Sequence, residues 1–428
     1  MIKLVSFYLF TVLYYNFYRY IFRINNARTS PTYSDTPLWL SSGKYLIIFA
    51  LFGLMVFVLA MYKYKVKPYS GSYVIRHDRK NDAIYILLSL LFCLYALSVT
   101  VLSRDAYAFE AVCFFPVMVF MILGRFDREA FFNKMYKILK VSAWIFLFYD
   151  IIQYLLFYFF NRLPALAYAG TVSVRFGSLQ DDPNGYAFLM SALYFVGMSY
   201  QGYKKSLFYF LYAANLLLTI SFTGMASVML SIIAVMILSM PVSFNKLMAA
   251  WFSLVFGVVG VMLLSQLPIL QNILSTKQGS IDQHANLFSA LTNVGIPDIL
   301  GMNPPGWVAE SAYVNILLNF GILVTLVMYG MVITILYRFS QHLKTHKKYF
   351  RTIKHDPAYI LGLCALTFCL AVFIGGINLP LEVVFPVNAL FPFFLGLLCL
   401  LSKHRYASTT RTLNQRSALC LRESTEEA

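Results

Sequence analysis

The stretch SLFYFLYAANLLLTISFTGMASVMLSIIAVMILSM, residues 206–240, carries no charged side chain. As one helix it would be roughly 52 Å long at about 1.5 Å per residue, against a hydrocarbon core of roughly 30 Å. Ser221, Thr223 and Gly224 stand at its middle and can turn the chain. The run therefore reads as two short membrane helices, 206–220 and 223–240, in an all-α chain that crosses a bilayer repeatedly.

Apolar runs of similar kind recur outward in both directions. They predict further spans at 4–22, 44–62, 83–102, 106–124, 139–160, 184–200, 246–265, 311–337, 358–377 and 385–402, about twelve in all. Of the 428 residues 60% are hydrophobic and only 12% charged, too few charges to cover a soluble protein of this size. Aromatic residues gather near segment ends, where amphipathic rings favour the headgroup layer. No small-residue cleavage site follows the first segment, so it reads as a signal anchor at most.

Charge tests the split at 221–224. With the amino terminus inside, all but eight of the 34 Lys and Arg residues fall on inner segments. The eight are Arg19, Arg23, Arg28, Lys44, Arg104, Arg162, Arg175 and Lys277. This asymmetry is the positive-inside pattern, and it puts both termini in the cytoplasm. Fusing the two short helices would move the cluster between Arg338 and Lys354 outside and spoil it. The net charge of +16 is thus topogenic, and no folded basic domain supports a nucleic-acid reading. Residues 1–402 form one transmembrane domain with outer loops at 161–183 and 266–310, and residues 403–428 read as a polar, disordered tail. None of the six cysteines has CxxC or zinc-type spacing, no Walker or Rossmann glycine pattern is present, and no internal repeat is evident.

The outer face is sparse in polar groups, so those it has are informative. Arg175 precedes Asp181, Asp182, Pro183 and Asn184 at a helix start. Arginine suits bidentate recognition of phosphate oxygens, whereas the bland alternative is an ion pair with Asp181 or Asp182. Asp182-Pro183-Asn184 reads as a turn and helix start. Glu310 opens Glu310-Ser311-Ala312-Tyr313; it is either a residue favoured by the helix dipole or a general base above the membrane. His284 is the one histidine of six on the outer side. Asp150 and Glu110 lie inside spans, where a carboxylate is either functional or held by a neighbouring Tyr or Arg.

Three pieces in this order resemble the bacterial O-antigen ligase and polymerase superfamily, the Wzy and WaaL type of membrane glycosyltransferase. They are Arg175-Phe176-Gly177 with Pro183-Asn184, the broken helix pair around Leu218–Ala226, and Asp298-Ile299-Leu300-Gly301 followed by Glu310-Ser311-Ala312-Tyr313 and Asn319-Phe320-Gly321-Ile322. The likeness covers roughly residues 170–335, and the first half is similar only in hydropathy. It implies a GT-C-like helical bundle in the bacterial inner membrane, acting without cofactor or metal on glycans carried by undecaprenyl diphosphate at the periplasmic face. A chain-length regulator and a flippase are the implied protein partners, beside the lipid bilayer. Arg175 inherits the diphosphate contact and Glu310 the catalytic base, with Asp181, Asn184, Ser311 and Tyr313 as substrate contacts. The ligases typically carry His-Asn where this chain has Glu310-Ser311, which favours a polymerase over a ligase that transfers to lipid A-core. A second family arginine has only His284 or Lys277 as its counterpart. A flippase or exporter is the reading from another class, and the scarcity of charge within the helices speaks against it.

Overall fold

The structure, a computed structural model, describes residues 1–21, 38–65, 79–124, 127–160, 167–169, 174–180, 182–219, 221–241, 294–306 and 310–404. It is a helical membrane protein. Six described helices are long and apolar enough to cross a membrane, and two shorter apolar ones, Tyr107–Leu123 and Val387–Leu401, accompany them. The predicted span at 246–265 lies outside the described residues.

In chain order the first helices are α1 (Ile2–Ile21), α2 (Leu38–Lys65), α3 (Arg79–Ser103), α4 (Tyr107–Val112), α5 (Pro116–Leu123) and α6 (Arg128–Phe160). A ribbon of β1 (Ala167–Ala169) and β2 (Val174–Phe176) follows, antiparallel, with Tyr168 opposite Arg175. Then come α7 (Pro183–Ser191), a 3-10 turn (Tyr194–Ser199), α8 (Gly202–Leu218) and α9 (Phe222–Ser239). After the undescribed stretch come α10 (Ile296–Ile299), α11 (Ala312–His346), α12 (Phe350–Ile353), α13 (Pro357–Gly375) and α14 (Val387–Leu401).

The run at 206–240 does divide. Thr219 ends α8, and Ser221 caps α9 by accepting the Gly224 N–H on its hydroxyl. A serine that can accept from N3 is a strong helix start, so the polar residues inside an apolar run mark the break.

Other spans differ in detail. The span predicted at 106–124 is interrupted at Cys113–Phe115, because Pro116 has no N–H to continue α4. The chain crosses the gap on i−3 bonds, such as Phe115 N–H to Val112 O at 3.0 Å. The span at 184–200 is an α-helix only to Ser191 and tightens into the 3-10 turn. Helix α6 starts at Arg128, well before the predicted 139, since Phe131, Phe132, Met135, Tyr136 and Leu139 form one buried face at helical spacing. Helix α11 runs past the predicted 337 to His346 and breaks at Gly321. The all-α reading also meets the small ribbon in the outer loop.

At the centre stands α13. Its apolar window is 78% buried inside the protein, whereas the window at Gly43–Met61 in α2 is 22% buried. A helix apolar on every side belongs either in lipid or in a core. Helix α13 packs against α9, α14, α6 and the 3-10 turn. At the end predicted to be cytoplasmic, Lys403 beyond α14 pairs with Asp82 at the start of α3, and Lys347 Nζ donates to the carbonyl of Ile237 at 2.8 Å. The five described cysteines are free.

Candidate functional site

The third motif folds back on itself. Gly301 and Gly321 both have positive φ, 75° and 76°. A Cβ on Gly321 would stand 2.5 Å from the carbonyl oxygen of Leu300, and one on Gly301 would stand 2.7 Å from the nitrogen of Gly321. Only glycine allows both this backbone and this approach. Five residues on, Gly306 exchanges two hydrogen bonds with Asn319: the side-chain amide donates at 2.6 Å and its oxygen accepts at 2.9 Å. The loop 294–306 is thereby fixed along the amino-terminal part of α11. Asp298 serves this loop, accepting from Gly295 N–H at 2.9 Å and from Asn303 Nδ2 at 3.3 Å.

The amino end of α11 is docked on the carboxyl end of α13. Ser311 is its N-cap, and the Ala312 N–H donates to Gly376 O at 2.9 Å and Leu379 O at 3.2 Å. The Ser311 hydroxyl donates to Gly376 O at 3.3 Å, and the Tyr313 hydroxyl to Phe373 O. Unpaired carbonyls at a helix end are thus met by unpaired donors at a helix start. Ser311 and Tyr313, expected as substrate contacts, join two helices. Glu310 stands before the cap, half-buried, and the first turn of α11 holds no acidic residue.

Next to this junction is a carboxylate that the sequence reading missed. Glu382, in the loop 376–386, takes hydrogen bonds on Oε1 from the Tyr107 hydroxyl and from Asn315 Nδ2, the latter at 3.3 Å. Its Oε2 is sealed from solvent and has no partner. Burial pushes its pKa up to about 7, while Tyr107 and Asn315 pull the other way by hydrogen-bonding the charged form. Glu382 lines a cavity of about 60 Å³ with Tyr313, Tyr329, Phe373, Asn388 and Phe391 among its walls. Asn388 donates through Nδ2 to Glu110 O at 3.3 Å, and its own Oδ1 is buried without a donor. Only an acidic residue between two apolar runs, in a chain with 18 Asp and Glu, could have drawn attention to Glu382.

The Arg175 segment is anchored from its other side. Past β2, residues 177–180 are buried. The Ser178 N–H donates to Asp150 Oδ1 at 3.2 Å, and the Ser178 hydroxyl to Phe146 O at 2.8 Å. Gln180 bridges to α1, donating to Leu13 O and accepting from Asn16, both at 3.1 Å. Asp150 therefore holds a loop backbone, and among the described residues its Oδ2 has no partner, Tyr or Arg. Glu110 has the Tyr45 hydroxyl in hydrogen-bonding reach. Asp182 caps α7 by accepting from Asn184 and Gly185 N–H groups at 3.0 Å each, with Pro183 at the first helical position. Asn184 Oδ1 accepts from the Ser221 hydroxyl at 2.8 Å, so the first motif touches the second. Asp181, Lys277 and His284 lie outside the described residues, as does the side chain of Arg175.

These parts meet around the loop 376–386. Asn315, between two pieces of the third motif, holds Glu382, and a Cβ on Gly185, which follows the first motif, would stand 3.4 Å from Val384. The arrangement offers a recessed carboxylate, a half-buried one at Glu310, hydroxyl and amide donors, and apolar walls. Among the described residues no group of His, Cys, Asp and Glu side chains could hold a metal ion. A scan against protein-family models gave no match for the chain, and the search of curated proteins gave none either.

Proposed function

We propose that the protein is a polysaccharide polymerase of about twelve spans, GT-C-like, in the bacterial inner membrane with both termini cytoplasmic. It moves a growing glycan from undecaprenyl diphosphate to the sugar of a new lipid-linked repeat unit at the periplasmic face. The observation that carries this reading is convergence. Of three segments far apart in sequence, each resembling a family motif, the first and second are joined by Asn184 and Ser221, while the first and third border the loop 376–386 that carries Glu382. A diphosphate is already a good leaving group, so the protein must supply a cation for the phosphates, a base for the acceptor hydroxyl and exclusion of water. Arg175 is given the first task, and the second falls to one of the two carboxylates beside the junction of α11 and α13, Glu310 or Glu382. Asn184 keeps the Arg175 segment against α9, and Ser311 and Tyr313 keep Glu310 at the junction of α11 and α13.

Glycan analysis of a disruption mutant tests the assignment. A polymerase mutant leaves single repeat units, capped or on the lipid carrier. Long polymer accumulating on the carrier would instead identify a ligase, and units trapped on the cytoplasmic side would identify a flippase.

A further inference from the structure

We propose that the cavity headed by Glu382 and Asn388 receives hydroxyl groups of the acceptor sugar, and that Glu382 takes the proton of the attacking hydroxyl. The inference rests on the polymerase reading above.

Glu382 and Asn388 both line one small cavity, and each has a buried acceptor atom without a donor, Oε2 and Oδ1. Buried polar atoms are nearly always hydrogen-bonded, and an unmet acceptor inside apolar walls is costly. A partner that meets both acceptors carries more than one donor. The lining is otherwise apolar or aromatic, with Phe115, Met328, Val372 and Phe391 among it. A polyol fits this set: O–H groups for the two acceptors, and a C–H face for the rings. About 60 Å³ is room for a few water-sized groups, enough for one edge of a sugar.

Position and proton affinity agree with the second part. The titratable groups that face Glu382 are Tyr107 from α4 and Tyr329 from α11, with Asn315 on the same helix. Tyr313 and Asn388 line the cavity beside it. Lys44 stands over the ring of Phe385 in the same loop, 5.2 Å from its centroid. Among the described residues no cation pairs with Glu382. In the step, the acceptor oxygen bonds to the donor's anomeric carbon as the bond from that carbon to the diphosphate oxygen breaks. The electron pair leaves with undecaprenyl diphosphate, and the hydroxyl proton passes to the Glu382 carboxylate, which releases it to water that enters the cavity when the product leaves.

The test uses the full-length protein in proteoliposomes, supplied with the lipid-diphosphate repeat unit extracted from the disruption strain. Glu382→Gln, at equal protein, is expected to lower turnover about 10²- to 10⁴-fold. Asn388→Leu is expected to raise KM for the repeat unit more than it lowers kcat. The wild-type rate is expected to rise with pH through a midpoint near 7, because only the carboxylate accepts the proton. Tyr107→Phe removes a hydrogen bond to the charged form and is expected to move that midpoint upward, which a merely structural role would not do. Should Glu382→Gln fail to accumulate, the Tyr107→Phe pH profile decides alone. Polymer of wild-type rate and pH profile from Glu382→Gln, or an unmoved midpoint in Tyr107→Phe, overturns the inference while leaving the polymerase reading intact. No polymer from the wild-type protein overturns both.

Discussion

Asn319 and Gly306 hold each other by two hydrogen bonds, one in each direction, at 2.6 and 2.9 Å, and both residues are buried. Asn319 Nδ2 also donates to Asn315 O one turn earlier, so a single amide ties a loop to the helix that carries Asn315. Asn319→Leu leaves the Gly306 N–H and carbonyl buried without partners. A loss of about 1–3 kcal/mol is expected, the cost of a stranded buried group. Thermal unfolding in detergent measures it, and an unshifted transition would show that the clamp contributes nothing.

Gly321→Ala tests the kink of α11. The new methyl would meet the Leu300 carbonyl at 2.5 Å on a backbone with φ of 76°. Backbone strain alone is of order 1–3 kcal/mol. Gly330, on the same helix, has nothing within 4 Å of a built Cβ. Gly330→Ala is therefore the control and is expected to be neutral or slightly stabilising. Protease sensitivity of the loop 294–306 should rise in the first variant only.

Arg175 and Glu310, the residues the sequence singled out, are tested together. Losing a charge-assisted phosphate contact costs about 1.5–3 kcal/mol, roughly ten- to hundredfold in binding. Arg175→Ala should therefore shorten the polymer while the protein still inserts, and Arg175→Lys should rescue only in part, since an ammonium lacks the planar fork. Glu310→Gln discriminates two roles. A base lost there lowers turnover, whereas a residue outside the helix that shapes the entry loses little. Wild-type chain lengths from both Arg175→Ala and Glu310→Gln would sink the site.

Topology is checked by cysteine labelling at Lys277 and Arg351. Membrane-impermeant reagent applied outside should modify the first and spare the second. Modification of both from one side would refute the charge-based orientation.

Asn215 is an internal hub within the long apolar run. It accepts from the Tyr186 hydroxyl at 2.8 Å and donates to Leu147 O at 3.2 Å and Leu211 O at 2.8 Å. Asn215→Leu should destabilise by about 0.5–1.5 kcal/mol, since the Tyr186 hydroxyl loses its closer acceptor and keeps only Phe146 O at 3.4 Å. The double change with Tyr186→Phe should recover part of the loss, because both polar partners are then gone. Melting temperatures of the two variants and the pair give the answer.

Most described helices were legible because a bilayer demands long apolar runs and the chain supplies them. The break at Ser221 was legible for a related reason: its hydroxyl is a cap, and caps have a residue signature. The start of α6 was not, since Arg128, Glu129, Lys134 and Lys137 mask the apolar face formed by Phe131, Phe132 and Met135. A hydropathy window averages over the helix and loses the face. Glycines hide their roles too, as Gly321 and Gly330 look alike in sequence and differ only in what stands opposite. Glu382 could not have been ranked above Glu310, because what distinguishes it is enclosure by Tyr107, Asn315 and Tyr329, which lie far from it in sequence.

Helix α13 and the Gly43–Met61 segment are alike in composition, yet one is wrapped in protein and the other mostly is not. Their tolerance of change should differ accordingly. Along α2 the outward positions Leu46, Phe49, Leu54 and Phe57 need only be oily, so they can drift freely among apolar residues. Positions of α13 such as Gly362, where a methyl would strike the ring of Phe339 at 2.5 Å, are set by shape. Of two segments that a hydropathy scale treats as equals, one is a solvent boundary under almost no selection for size. The other is inherited as a fitted part, and saturation mutagenesis would separate them at a glance.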